Sequence, residues 1–173
     1  MCIIIYKPAG AEMPSVDFLN IARTANPHGC GYCTPKKSFK TLDYDIFLEK
    51  LNKIKKDTPV LIHFRYATHG RVRQSNCHPF YDRDLGVKFM HNGILNITPF
   101  RGKTDSETAF RSIIVPEIAA HGIESTEVDE SINSVIGVSR FAIMQGDTVK
   151  LYGQWYEHNG LMLSNNRLIS LNK

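Results

Sequence analysis

The sequence predicts an α+β fold in which mostly antiparallel sheets are stacked in layers, with helices on the outside. Short apolar runs typical of strands cluster at the start, the middle and the end of the chain, with amphipathic helical segments between them. These segments do not alternate regularly, as the units of a parallel α/β sheet would. We expect a single domain over residues 1–173, because the chain has no repeat and no Pro- or Gly-rich linker.

The first third of the chain predicts two buried strands with two helices between them. Residues 2–6 form an apolar run, and residues 60–64 form a second run rich in β-branched side chains. Ser15 is expected to cap the first helix, which ends in a turn at residues 26–29. The second helix is expected over residues 43–55, where apolar residues recur at helical spacing.

The rest of the chain predicts one more strand, two helical regions and a strand-rich end. Residues 87–90 alternate between apolar and polar, as strands do. Thr104 and Glu107 match a capping box, and Pro116 is expected to kink or split the helix that follows. Another helix is expected over residues 127–135. After Ser139 we expect strands at residues 140–144, 149–153, 155–156, 161–164 and 168–171, with turns at Gly146-Asp147 and Asn159-Gly160.

The composition is that of an ordinary globular protein. Its 21 basic and 17 acidic residues give a formal net charge of +4, and the basic residues are scattered, so we expect no nucleic-acid partner. No run approaches the roughly 18 apolar residues that a membrane helix needs, so we expect no membrane association. No secretory signal opens the chain, which favours a cytoplasmic protein with reduced cysteines.

Cys30 and Cys33 have the spacing of a metal-binding or redox pair, so a small zinc protein is one alternative interpretation. A convincing zinc site would show a second pair of ligands. Cys77 and His78 are adjacent in sequence, which is a poor geometry for two ligands of one ion. We therefore expect neither a metal nor another cofactor.

Cys2 follows Met1 directly and opens the first apolar run. If Met1 is removed, the thiol and a free α-amine belong to the same residue. An α-amine has a pKa of about 8 and can act as the base that a nucleophilic thiol needs. The alternative interpretation is a buried cysteine in a core strand, since free cysteine is among the most buried residue types.

Three further segments give the cysteine a chemical context. They are His63-Phe64-Arg65-Tyr66-Ala67-Thr68-His69-Gly70, His91-Asn92-Gly93-Ile94-Leu95 and Thr104-Asp105-Ser106-Glu107. Together with Cys2 and Asn26-Pro27-His28-Gly29-Cys30-Gly31, they resemble the glutaminase domain of class II glutamine amidotransferases, a group of Ntn-hydrolases. The resemblance runs from Cys2 to about Phe110 and implies a four-layer αββα sandwich.

The resemblance also implies an enzyme that hydrolyses glutamine without a metal. The Cys2 thiolate would attack the side-chain amide and form a γ-glutamyl thioester, from which water releases glutamate. Asn92 and Gly93 would form the oxyanion hole. The resemblance assigns the substrate carboxylate to Arg65, with Thr68 alongside, because a guanidinium can bind a carboxylate through two parallel hydrogen bonds.

The resemblance assigns the substrate ammonium to Asp105 and implies a supporting place near the substrate loop for His69. Each residue also has a structural alternative. Arg65 is compatible with a structural arginine at a strand end, and Asp105 with a carboxylate at a helix N-terminus. Asn92-Gly93 is compatible with a hairpin turn, which is how we interpret the second His-Asn-Gly, at residues 158–160.

Two residues depart from the family pattern. Ile3 stands where the family usually has glycine, and its β-branched side chain is expected to restrict the backbone and crowd the pocket. His28 stands where an aspartate is common, which changes how that turn is held. Three hypotheses for the function of this family-like site remain open: a glutaminase, an amidase for another γ-glutamyl-type amide, and a non-catalytic glutamine sensor. A glutaminase would serve a separate synthetase subunit that receives ammonia, or would act as a free-standing amidase.

Overall fold

Two antiparallel sheets lie face to face between outer layers of helices in the computed structural model, which describes residues 2–67 and 70–171. The strands are β1 (Ile3–Lys7), β2 (Cys30–Cys33), β3 (Ser38–Thr41), β4 (Val60–Phe64), β5 (Phe80–Asp82), β6 (Val87–Asn92), β7 (Arg140–Gln145), β8 (Thr148–Tyr152), β9 (Tyr156–His158) and β10 (Leu161–Leu163). The helices are α1 (Val16–Ala25), α2 (Tyr44–Leu51), α3 (Asp105–Ala109), α4 (Val115–His121), α5 (Thr126–Ile136) and α6 (Arg167–Leu171).

The larger sheet has the strand order β3-β2-β4-β1-β10-β9, and the smaller has the order β5-β6-β7-β8. Strand β1 lies at the middle of the larger sheet and pairs antiparallel with both β4 and β10. In the β1–β4 register, Ile3 lies opposite Phe64. This register brings the residue before β1, Cys2, to the residues that follow β4.

Three separate apolar cores confirm the four-layer αββα arrangement. One core joins the larger sheet to α1, α2 and α6, and the second joins the smaller sheet to α4 and α5. The third core lies between the two sheets and contains Ile4, Cys33, Leu61, Met90, Ala142 and Met144. Because strand side chains alternate between faces, Ile3 and Ile5 pack toward the helices while Ile4 packs toward the other sheet.

Several local predictions are confirmed by the hydrogen bonds that close each element. The Ser15 side chain accepts a hydrogen bond from the backbone N–H of Phe18 and caps α1. The Thr104 side chain accepts one from the N–H of Glu107 and caps α3. The interruption expected near Pro116 takes the form of a π-helical turn over Phe110–Ile114, immediately before α4. A turn of this kind loosens the helical ladder where proline has no N–H to donate.

The strand expected at residues 168–171 is wrong, because these residues belong to the short helix α6. The Asn165 side chain accepts a hydrogen bond from the N–H of Arg167, and Leu168 is buried against the core that contains α1. The predicted second helix is also too long, since α2 ends at Leu51. A short apolar run does not by itself distinguish a strand from one helical turn.

Strand β2 contains the Cys30-Gly31-Tyr32-Cys33 segment that raised the zinc alternative. Residues three positions apart point to opposite faces of a strand. Cys30 accordingly packs in the core next to the helices, and Cys33 packs in the core between the sheets. Two thiols on opposite faces of one sheet cannot share a metal ion.

Helices in the described parts of the chain are all too short or too polar to cross a lipid bilayer.

Replacing Leu61 with alanine tests the core between the sheets. Leu61 is fully buried there, so Leu61→Ala is expected to lower the free energy of unfolding by about 2–5 kcal/mol. The matched control is Val138→Ala, because Val138 is 88% exposed and should change stability by less than about 0.5 kcal/mol. Urea denaturation followed by circular dichroism measures both, and similar losses in the two variants would contradict the layer assignment.

Candidate active site

Cys2 directly precedes the central strand β1 and is held there by the chain that follows β4. The Cys2 Sγ accepts a hydrogen bond from the backbone N–H of Tyr66, with an N–S distance of 3.2 Å. The Cys2 carbonyl accepts a second hydrogen bond from Asn165 Nδ2 at 2.9 Å. Both the sulfur and the backbone of Cys2 are therefore fixed by residues that are distant in sequence.

The surroundings of the Cys2 thiol act on its pKa in opposite directions. Burial is the largest effect and raises the pKa, while the Tyr66 N–H and the Arg65 guanidinium lower it in part. The net shift is upward. A thiol in this position needs a proton acceptor to become a nucleophile.

A cavity of about 40 Å³ brings together four of the residues predicted for the site: Cys2, Arg65, Gly93 and Asp105. The other lining residues are Tyr66, Ala67, Asn76, His78, His91, Thr104 and Ser106. Asn92 adjoins Gly93 at the end of β6 and is buried. Thr68 and His69 lie outside the described residues.

Arg65 is buried, and both of its backbone groups are tied to the turn after α1. Its N–H donates to the Gly29 carbonyl at 2.8 Å, and its carbonyl accepts from the His28 N–H at 3.0 Å. The guanidinium Nη1 donates to the Arg71 carbonyl at 3.2 Å. The arginine is thus oriented from three sides, as a residue that positions a ligand must be.

His28 supports the same loop from the side. Its Nδ1 accepts a hydrogen bond from the backbone N–H of Ala67 at 2.9 Å, and its ring packs against Tyr66 with ring centroids 5.2 Å apart. A carboxylate at this position would also accept a backbone N–H. Although His28 replaces the aspartate that is common in the family, it still provides a hydrogen-bond acceptor for the loop that follows Arg65.

Ser164 connects β1, the strand that follows Cys2, to the predicted oxyanion residue Asn92, and no sequence motif points to it. Its Oγ accepts hydrogen bonds from the backbone N–H of Ile4 at 2.8 Å and from Asn92 Nδ2 at 2.9 Å. Ser164 follows β10, the neighbour of β1, and is fully buried. One hydroxyl thus fixes both β1 and the Asn92 amide, which leaves the second hydrogen of Nδ2 for another acceptor.

Gly93 has a steric reason to be glycine. Its φ angle is +144°, and a Cβ built there would lie 2.2 Å from Ser139 Oγ. Ser139 in turn donates to the Ile94 carbonyl. A side chain at residue 93 would displace the loop that ends β6, so the glycine of the His-Asn-Gly motif is required by packing.

Asp105 begins α3 and holds the loop after Gly93. One carboxylate oxygen, Oδ2, accepts from the Leu95 N–H at 3.0 Å, and the other, Oδ1, accepts from the Ser106 N–H at 2.8 Å. The structural role considered for Asp105 is therefore present in the molecule. Oδ1 also lies 3.4 Å from the Ser106 hydroxyl, whereas Oδ2 has a single donor and keeps a lone pair, so these bonds are compatible with a cationic ligand in the cavity.

Three buried histidines lie next to one another at the cavity: His78 and His91 line it, and the ring of His63 packs against that of His78. Burial lowers the pKa of His63 to about 3 and that of His91 to about 4, and it lowers the pKa of His78 well below its ordinary value. His91 Nδ1 contacts Ser106 Oγ at 2.7 Å, and His63 Nε2 lies 3.3 Å from the His91 carbonyl. All three are neutral at pH 7.

Ile3 does not crowd the cavity, contrary to the expectation from sequence. Its side chain is 1% exposed and packs with Phe18 and Leu19 in the core beneath α1. Cys2 precedes it in the chain and lines the cavity instead. Alternation along the strand separates the two side chains, so the β-branched residue adds to the core.

Across residues 2–67 and 70–171, no group of three or more His, Cys, Asp or Glu side chains has a geometry that could hold a metal ion.

Comparison with protein families gives a match to the class II glutamine amidotransferases over residues 47–147. Two curated relatives are glutamine–fructose-6-phosphate aminotransferases. The protein from Halobacterium salinarum is 31% identical over 94 residues, and that from Mycobacterium bovis is 33% identical over 90 residues. These alignments cover 54% and 48% of this chain but only 14% of each relative.

Two solved structures resemble the fold over nearly the whole chain. Glutamine phosphoribosylpyrophosphate amidotransferase from B. subtilis has a TM-score of 0.61 and 18% identity, with 98% of this chain and 43% of that chain covered. A structure described as the allosteric regulatory enzyme of purine biosynthesis has a TM-score of 0.62 and 16% identity, with coverages of 99% and 43%. At these identities the similarity concerns the fold.

The buried histidines predict that acid destabilises the fold. Each has a lowered pKa when folded, so below about pH 6.5 the unfolded chain binds protons that the folded chain does not. The free energy of unfolding is expected to fall by about 1 kcal/mol per histidine between pH 7 and pH 5.5, and urea denaturation over this range measures it.

The variant His78→Leu isolates one contribution, because neither ring nitrogen of His78 has a partner within the described structure. It should reduce the pH dependence by about 1 kcal/mol over that range. Val138→Ala, an exposed substitution that involves no titratable group, serves as the control and should leave the pH dependence as it is. An unchanged pH dependence in His78→Leu would show that this group does not titrate as a buried histidine.

Proposed function

This chain belongs to the class II glutamine amidotransferases, and we propose that it hydrolyses the side-chain amide of glutamine with Cys2 as the nucleophile. The observation that carries the proposal is the shared cavity of Cys2, Arg65 and Asp105. A thiol, a cation and an anion around one space match a substrate that has an amide at one end and a zwitterionic amino acid head at the other.

Recognition of the substrate head follows from charge. Arg65 would bind the α-carboxylate, since a buried guanidinium forms short, charge-assisted hydrogen bonds with carboxylates. Asp105 would bind the α-ammonium through the Oδ2 lone pair that the Leu95 N–H does not use. The two charges then orient the side-chain amide toward the Cys2 sulfur.

The chemistry requires that Met1 be removed, so that Cys2 has a free α-amine. The amine takes the thiol proton, and the sulfur attacks the amide carbon to give a tetrahedral oxyanion. Collapse of this intermediate breaks the C–N bond, and the proton held by the amine leaves with ammonia. Water activated by the same amine then cleaves the γ-glutamyl thioester, which gives glutamate and the free thiol.

The oxyanion would be bound by Asn92 and Gly93. Asn92 Nδ2 has one hydrogen directed to Ser164 and a second available for the oxyanion. The Gly93 N–H would be the second donor, on a loop held by Ser139 and Asp105. Donors that are fixed before the reaction lower the barrier most, because they need no reorganisation in the transition state.

Ammonia released in this way would pass to an acceptor bound outside these 173 residues. The relatives are named as aminotransferases to fructose-6-phosphate, and the aligned region is 14% of their length. We therefore propose a separate synthetase subunit or domain as the partner. Glutamate and ammonia formation from glutamine alone, in a coupled assay, is the direct test of the activity.

Substituting the nucleophile tests the proposal. Cys2→Ala is expected to abolish glutamate formation from glutamine, because Cys2 is the one thiol among the described residues that line the cavity. Incubation of the wild-type protein with a diazo-ketone analogue of glutamine should label one thiol, and intact mass spectrometry should show that Met1 is absent from the labelled chain. The matched control is Cys77→Ala, a buried thiol outside the cavity, which should keep both labelling and activity. Active protein that retains Met1 would disprove the mechanism.

Removing the Ser164 hydroxyl tests how Asn92 is positioned. Ser164→Ala leaves the Ile4 N–H and the Asn92 amide without their acceptor, so kcat should fall about tenfold while KM for glutamine stays within about twofold. Stability should fall by about 1–3 kcal/mol. Steady-state kinetics and urea denaturation provide the two readouts, with the exposed Ser134→Ala as control. An increase in KM at constant kcat would instead place Ser164 in substrate binding.

A further inference from the structure

A cleft of about 870 Å³ lies where the edge strands of the two sheets, β3 and β5, come together beside the start of α3. Its walls carry five cations and one carboxylate: Lys40, Arg73, Arg83, Lys103, Arg111 and Glu107. The chain as a whole has 21 basic and 17 acidic residues. The cleft therefore contains the entire basic excess of the chain, and the remaining residues are balanced.

The single carboxylate is already shared between two of these cations. Glu107 Oε1 accepts from Lys103 Nζ at 2.9 Å and from Arg111 Nε at 3.0 Å. Burial alone would raise the pKa of Glu107, but these two bonds lower it below its ordinary value, so the group stays ionised. Three further cations in the cleft are left without a carboxylate among its lining residues.

The cationic side chains are also held in place by the walls. Lys40 Nζ donates to the carbonyls of Ser75 and Cys77, at 3.1 and 2.7 Å. Arg73 donates through Nε to Asn76 Oδ1 at 3.2 Å and through Nη2 to the Gly102 carbonyl at 2.8 Å. Like charges fixed in one concave site focus a positive potential that an anionic ligand relieves.

The cleft is distinct from the glutamine cavity, which is the cavity lined by Cys2, Arg65 and Asp105. The two share no lining residue. Contacts such as that between Arg73 and Asn76 form the wall between them, with Arg73 on the cleft side and Asn76 on the cavity side. The cations of the cleft therefore have no part in the glutamine binding proposed above.

We propose that this cleft binds a small molecule that carries phosphate groups. Its volume lies within the range of about 300–1,000 Å³ that is typical of small-molecule sites, whereas a protein partner usually meets a broad and flatter surface. Arginines predominate among the cations, and the planar guanidinium matches phosphate oxygens in pairs. The rings of Phe39 and Tyr81 line the same cleft and offer apolar surface to the rest of the ligand.

Isothermal titration calorimetry of pyrophosphate against the Cys2→Ala protein tests this proposal separately from catalysis. We expect saturable binding at one site, weakened about tenfold by Arg83→Gln and by Arg73→Gln, because each loses one charge-assisted contact with the anion. The control is Arg101→Gln, an exposed arginine outside the cleft with the same change in charge, which should bind as the parent does. Thermal melts of all variants report whether they are folded.

Three outcomes would overturn the proposal. They are an absence of pyrophosphate binding, an equal loss in all three arginine variants, and binding of an oligoglutamate peptide without binding of pyrophosphate. The last result would assign the cleft to an acidic protein segment. Arg83→Gln in the otherwise wild-type chain should keep glutamine hydrolysis, since Arg83 does not line the glutamine cavity, so failure of the cleft proposal and failure of the glutaminase proposal are separable.

Discussion

The antiparallel pairing of β1 with β4 is the constraint on which the candidate site depends. Five residue pairs, from Ile3 opposite Phe64 to Lys7 opposite Val60, fix the register. A shift of one residue would turn every side chain of β1 to the other face of the sheet. Ile4 would then leave the core between the sheets and face the helices, and Cys2 would lose its hydrogen bond from the Tyr66 N–H. The apolar pattern that builds the larger sheet therefore also sets where the thiol lies relative to Arg65.

Hydrogen bonds between different elements hold several of the buried polar side chains beside the cavity. Ser164, Asn92 and His91 are all buried, and each contacts a group on a different element. A buried polar group without a partner costs free energy, so the native arrangement of these elements is favoured over alternatives that would separate them. The same contacts that specify the fold also fix the groups that would bind an oxyanion.

Much of the fold was predictable because it depends on local patterns. The bounds of β4 and the caps at Ser15 and Thr104 follow from apolar runs and side-chain acceptors that are contiguous in sequence. Strand β2 was missed because its cysteine spacing resembles a ligand pair, although the residues lie on opposite faces. The end of the chain was wrongly predicted because a short apolar run suits either a strand or a helical turn.

The candidate site was predictable only in part, for a physical reason. Cys2, Arg65, Gly93 and Asp105 belong to motifs, and the structure brings them to one cavity. Ser164 and Asn165 belong to no motif, and they reach Cys2 and Asn92 only because β10 pairs with β1. Contacts of this kind depend on tertiary pairing, so a single sequence contains no local signal for them.

The buried histidines bear on which group can act as the base for Cys2. A general base works best when its pKa lies near the working pH. Burial lowers the pKa values of His78 and His91, the two imidazoles that line the cavity, so neither readily accepts a proton at pH 7. His28 Nδ1 already accepts the Ala67 N–H. Because burial also raises the pKa of the Cys2 thiol, the proposed chemistry needs a stronger base than the His78 and His91 rings provide. An α-amine on Cys2 itself satisfies that need, since its ordinary pKa of about 8 lies close to neutrality and its position is fixed by the residue that it activates.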